Sequence, residues 1–246
     1  MVKNFLNLSI RAWISLVLVI FIPVVVHSQT NKDIGSWNII NLKAKISDRF
    51  TLFTEAQTRS SMFYSKFFYY EVKAGGSLMI DKHFNILVGT GNYNTFQESG
   101  NFKKPIAAKE WRIWEEIGMK QEVERLFFEH RYRIEQRFVT GKYRTRMRYR
   151  LSLLVPLNHK VFDPGTIYLA FAEEVFFTNH EPFFERNRLY GGLGYKMKLL
   201  TLQGGWMNQF DYKLTGTRNK NYFQLALLFD LDLSKSQHRT VPFQAD

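Results

Sequence analysis

Arg144, Arg146, Arg148 and Arg150 occupy every second position of one short stretch, and Arg186 and Arg188 repeat that spacing further on. Guanidinium groups stay protonated and present five N–H donors in a fixed fork, so a cluster of them is chemistry for holding anions such as phosphate, carboxylate or acidic sugar. Upstream, Glu129, Arg131, Arg133, Glu135 and Arg137 follow the same period with two acids interleaved. Side chains two apart on a strand share one face. Tyr143, Thr145, Met147, Tyr149, Leu151 and Leu153 fall on the opposite face, as do Phe128, Tyr132, Ile134 and Phe138 upstream. Each stretch is a strand with one charged and one apolar surface, and function turns on what each surface meets.

Eleven such segments run along the chain, near 36–47, 50–59, 67–81, 84–94, 108–120, 125–138, 142–156, 166–177, 185–196, 200–211 and 221–233. Short turns at Asp48-Arg49, Asp81-Lys82-His83, Val123-Glu124 and Met197-Lys198 alternate with longer connections at 60–66, 95–107, 178–184 and 212–220. Transmembrane barrels alternate in this way, with short periplasmic turns and longer outer loops. Asn158 to Gly165 is longer than its side predicts. Bacterial single-chain barrels have even strand numbers, so eleven segments imply a further strand near Gln29 to Ser36, or one segment wrongly split. The expected fold is all-β: an antiparallel up-and-down transmembrane β-barrel of about 12 strands, with about 10 as the alternative. Gly191-Gly192-Leu193-Gly194 is read as a bend in a strand, since no helix pattern follows it to make a phosphate loop.

Lys3 and Arg11, an apolar run from Ala12 to Val26, and Val26-His27-Ser28 before Gln29 form the pattern of a cleaved secretory signal peptide. Residues 1–28 are therefore set apart, and 29–246 are read as a single barrel domain. No later window of about 18 apolar residues appears, so any membrane crossing must be made by strands. With no cysteine, an exported chain has no disulfide framework. The formal charge of +12 falls to +10 without the signal segment. For an exported chain this favours anionic lipid and polysaccharide. Nucleic acid is not an expected partner, because the basic residues lie in sheet ladders with no recognition motif beside them.

Alternation alone fits a soluble barrel with an apolar lining or a membrane barrel with an apolar exterior. Strand number separates them. About 8 strands make an interior that side chains fill, whereas a wider barrel with an apolar lining would enclose a dry void. The apolar faces are therefore expected to meet lipid, and the aromatic residues, 16% of the chain, suit the interfacial girdles of such barrels.

The charged faces then line the lumen. Arg131, Arg133, Arg137, Arg144, Arg146, Arg148, Arg150, Arg186 and Arg188 form its basic wall, with Glu110, Glu116, Glu129, Glu135 and Glu174 as acidic partners. A Val123-Glu124 turn places Glu110 opposite Arg137, Arg112 opposite Glu135 and Glu116 opposite Arg131, pairs contributing roughly 0.2–1 kcal/mol each. Arg144 to Arg150, with Arg186 and Arg188, are left largely unmatched. The wall is then either a solvated lining or a path or site for small anionic solutes. His83, His130, His159, His180 and His238 are isolated, without metal-ligand spacing, and His130 falls on an apolar face. Glu173-Glu174 is read as a bulge or loop edge. No catalytic residue, cofactor or metal site is expected.

Glu129-x-Arg131-x-Arg133-x-Glu135-x-Arg137, then Arg144-x-Arg146-x-Arg148-x-Arg150-Leu151 with Pro156-Leu157, resemble the central signature of the family catalogued as domain of unknown function 2490. Arg186-Asn187-Arg188, Gly191-Gly192-Leu193-Gly194-Tyr195, Trp206-Met207-Asn208-Gln209 and Asn221-Tyr222-Phe223-Gln224 resemble its C-terminal half. The resemblance implies an exported outer-membrane β-barrel and carries over no activity and no catalytic residue. The resulting expectation is a barrel in the outer membrane of a Gram-negative bacterium, surrounded by lipid and lipopolysaccharide, acting as a structural envelope component or a passive, porin-like pore. An outer-membrane enzyme acting on lipid or lipopolysaccharide and a soluble periplasmic ligand-binding barrel are the alternatives. A Ser-His pair near one rim would mark the enzyme.

Overall fold

The computed structural model describes residues 30–234, with side chains from residue 34 onward, so the signal segment and His238 lie outside the described residues. Eleven strands follow: β1 (Thr30–Lys45), β2 (Phe50–Met62), β3 (Ser65–Met79), β4 (Phe84–Thr95), β5 (Ala108–Val123), β6 (Leu126–Val139), β7 (Lys142–Pro156), β8 (Ile167–Thr178), β9 (Phe184–Lys196), β10 (Leu200–Lys213) and β11 (Gly216–Asp232). They form one closed barrel in which sequence neighbours pair antiparallel and β1 meets β11.

The expected twelfth strand does not occur among the described residues. Thr30 to Ser36 belongs to β1 itself. With an odd count the first and last strands run the same way, so the barrel closes by a parallel pair that sets Trp37 beside Gln224 and Asn41 beside Leu228. Two expected long connections are also tight turns, at 63–64 and 214–215. There β11 extends through Thr217, Arg218, Asn219 and Lys220, a polar stretch without the apolar alternation that marks a strand in sequence.

Alternation decides which face each residue takes. Along β5, Glu110, Arg112, Trp114 and Glu116 are buried inside, while Trp111 and Ile117 are exposed outside. The same division holds around the barrel, so Ile40, Val72, Val88, Ile117 and Leu193 are each more than half exposed while most of the arginines are buried. Glycines on inward positions make room for rings. Gly89 lies directly opposite Trp114, and Gly194 opposite Tyr168, and in each case a Cβ would collide with the facing ring.

Connections pack against both ends of the barrel. At the lower end, where β1 finishes, the connection 157–166 turns inward and buries Phe162 to 1% exposure. Its ring packs edge-on against Phe127 at 4.7 Å and Tyr168 at 5.2 Å, which accounts for a connection longer than its side requires. At the upper end, loop 96–107 docks on strand ends through Phe96, Phe102, Phe67 and Tyr70, with Phe102 N donating to Phe67 O at 2.9 Å. From this loop Glu98 reaches β11, accepting from Arg218 Nη2 at 2.5 Å and from Lys220 Nζ. Partial burial raises the Glu98 pKa, but hydrogen bonds from Lys220 and Arg218 outweigh it and hold the carboxyl below its ordinary value.

Candidate functional site

Register determines which charges meet, and that of β5 and β6 differs by two residues from the expected one. The turn is Glu124-Arg125, with Glu124 at φ 55° and Val123 opposite Leu126. This register stacks Trp111 on Phe138 across the outer face, ring centroids 5.4 Å apart, and puts Glu116 opposite Arg133. It also sets Arg112 opposite Arg137. On the next pair, Arg131 faces Arg150 and Arg133 faces Arg148.

Such like-charge pairs oppose strand pairing on a flat sheet. Inside a barrel the long guanidinium arms converge on carboxylates of the same and nearby strands. Glu174 on β8 accepts from Arg131 Nη2 at 2.8 Å, Arg148 Nη2 at 2.6 Å and, more weakly, Arg188 Nη1 at 3.5 Å. Glu135, fully buried, accepts from Arg146 Nη2 at 2.6 Å and Arg148 Nη1 at 2.7 Å. Glu116 accepts from Arg133 Nε at 2.7 Å, and Glu110 from Arg112 Nε at 2.7 Å and from Arg137. The three pairs expected from the discarded register still meet obliquely: besides Arg137 and Glu110, Arg112 lies 3.8 Å from Glu135 and Arg131 3.8 Å from Glu116.

The arginines read as largely unmatched find acids that the sequence reading passed over. Glu185 lies 3.5 Å from Arg146 and 3.6 Å from Arg137, and Asp211 pairs with Arg186. Arg150 faces Glu174 in register, and Arg188 donates through Nε to Gln209 at 2.9 Å. A second group, also missed, sits on β2 and β3: Lys73 bridges Glu55 and Glu71, and Arg59 Nη2 lies 3.5 Å from Glu71. Its signal was present, since Glu55-x-Gln57-x-Arg59 and Tyr69-x-Glu71-x-Lys73 carry the same period of two. Two predicted wall residues stand apart from the network. Arg144 is half-buried at the upper rim opposite Arg137, and Glu129 lies lower, opposite Lys120 on β5 and Ser152 on β7.

Glu173-Glu174 is neither a bulge nor a loop edge. Both lie mid-strand in regular pairing, Glu174 inward and Glu173 outward, where Glu173 accepts from Asn187 Nδ2 at 3.1 Å. His130 is on the outer face, its Nδ1 2.9 Å from the Tyr149 hydroxyl. His83 and His180 bond the backbone carbonyls of Lys120 and Glu181. The buried pair Ser36 and Ser60 bond each other, Oγ to Oγ at 2.5 Å. Among the described residues, no group of three or more His, Cys, Asp or Glu side chains is placed to hold a metal.

Between the two charged groups lies a cavity of about 20 Å³, lined by seven basic side chains, by Tyr93 and by one carboxylate, Glu71. Space of that size holds a guest about as large as water. Chemically, the lumen is a lattice of permanent charges rich in N–H donors.

Fold and lumen define an all-β closed barrel with most of its arginines inside, beside an inward apolar cluster that includes Trp37, Ile39 and Leu228, and with an exterior rich in apolar side chains. The chain belongs to the family described as protein of unknown function (DUF2490), whose model matches residues 34–220. Among solved structures, LpxR from Salmonella typhimurium is similar at 6% sequence identity, over 74% of this chain and 83% of that chain, with a TM-score of 0.46. No curated protein matches the chain.

Proposed function

We propose that this protein is an outer-membrane β-barrel serving as a sealed structural component of the bacterial envelope, with no catalytic role of its own. The observation that carries the reading is the inverted division of the barrel: aliphatic residues are exposed on the outside while the inside is an ion-paired lattice. In water such an exterior would be a large aggregation surface, whereas in a bilayer it is the surface that lipid requires. Strands of 12 to 17 residues are also long enough, since a tilted spanning strand needs about 9–11.

A passive pore, the other half of the sequence-based expectation, needs a continuous water path. The lattice, the inward Phe162 and the docked loop 96–107 favour a sealed barrel instead. Lipid and lipopolysaccharide would be its surroundings, and nucleic acid has no place in this reading.

Two measurements test it. After cell fractionation the chain should sediment with the outer membrane, and recovery in the soluble periplasm overturns the membrane assignment. Purified protein in a planar bilayer should give no sustained conductance steps. Stable open-channel currents overturn the sealed reading and restore the pore.

A further inference from the structure

The lumen cavity combines three properties that point to a guest. Seven basic groups line it against a single carboxylate. That carboxylate, Glu71, is already occupied by Tyr69, Lys73 and Arg59. Among the lining residues, two buried donors also have no hydrogen-bond partner within the described residues: the Tyr93 hydroxyl and Arg59 Nε. Tyr93 is 2% exposed and Arg59 8%. A buried donor without an acceptor costs about 1–3 kcal/mol, more for a charged group, so each of the two favours an acceptor in the chamber.

The acids nearest the other lining cations lie away from the cavity. Arg186 is directed to Asp211, Arg148 to Glu135 and Glu174, and Arg112 to Glu110. The chamber therefore offers a basic lining, two orphan donors and a single carboxylate. An anion accepts from such donors and needs no acceptors of its own.

We propose that the barrel holds a monoatomic anion, a halide, in this chamber as an internal counterion, with Tyr93 Oη and Arg59 Nε among its donors. A cavity of about 20 Å³ suits a small anion. The anion accepts from the orphan donors and sits in the field of the basic lining.

Crystals of the full chain grown with bromide replacing chloride, measured at the bromine absorption edge, should show an anomalous peak within hydrogen-bond distance of Tyr93 Oη and Arg59 Nε. In solution, protein refolded in sodium chloride should unfold at a higher temperature than protein refolded in sodium gluconate of equal ionic strength. The Y93F variant should lose most of that difference. A water without anomalous signal at this position overturns the proposal. So does a bromide peak without chloride-specific stabilisation, which marks an adventitious ion only. If Y93F fails to fold, R59Q provides the same comparison. Both readouts are independent of conductance, so a leaky barrel could still hold the anion and a sealed one could lack it.

Discussion

Arg133 and Arg148 stand directly opposite each other on β6 and β7, and a single carboxylate, Glu135, reaches both, at 3.8 Å from Arg133 and 2.7 Å from Arg148. Cross-strand repulsion is overcome because the lumen lets acids approach from outside the pair. Glu116 takes Arg133 from the β5 side, and Glu174 takes Arg148 from the β8 side. The lattice behaves as one object, in which Glu110, Glu116, Glu135, Glu174 and Glu185 each hold two or more arginines.

Glu135→Gln should accordingly be far more damaging than an isolated surface change. Removing one partner of a buried ion pair costs about 3–5 kcal/mol, because the remaining charges are left uncompensated. Urea unfolding followed by heat-modifiable gel mobility should show a lower midpoint. An unchanged midpoint would mean that the arginines find other acceptors without cost.

Phe162→Ala should empty the lower mouth of its plug. Losing a buried Phe side chain costs about 3–5 kcal/mol, and the lattice above should keep the barrel non-conducting. The variant is therefore expected to be less stable in urea yet electrically silent. Steady currents from this variant alone would place the seal at the aromatic plug and not in the charged lattice.

The clamp of loop 96–107 should release in acid. The Glu98 carboxyl is held below its ordinary pKa, so its contribution is complete above the unfolded value and disappears as pH falls through the depressed one. Hydrogen exchange of the loop amides, corrected for intrinsic pH dependence, should accelerate in that acid window. Glu98→Gln should show the acid pattern already at neutral pH. Equal protection in both forms would detach Glu98 from loop docking.

Gly194→Ala should destabilise the barrel by about 1–3 kcal/mol, because the new methyl group collides with Tyr168 on the neighbouring strand. Gly204→Ala, whose Cβ meets nothing nearer than 3.9 Å, is the matched control and should be tolerated. Thermal melts of the two variants compare them directly. Equal behaviour would show that the close approach at Gly194 relaxes freely.

The closed all-β architecture was readable in sequence because alternation survives wherever one face is apolar and the other charged, as in β5, β6 and β7. It faded where a strand extends with polar residues on both faces. That is why Thr217 to Lys220 looked like a loop and Thr30 to Ser36 like room for another strand. The ion pairs were harder to read for a different reason. Pairing rules describe neighbours on a surface, whereas Arg131 passes over β7 to reach Glu174, a relation in three dimensions. Glu98 meeting Arg218 and Lys220 across 120 positions is of the same kind, since nothing local in either segment announces the other.

The parallel joint between β1 and β11 also has a kinetic meaning. Each of the other joints links strands adjacent in sequence and can form as soon as both are made, but this one must wait for the whole chain. It spans nearly 190 positions, from Trp37 to Gln224, and long-range pairings of this kind are slow to form. Until that step the two ends of the sheet are open ladders of unsatisfied backbone groups, able to capture a strand of another molecule. Assembly of this protein therefore has one late, concentration-sensitive decision, between meeting its own opposite edge and joining a neighbour's.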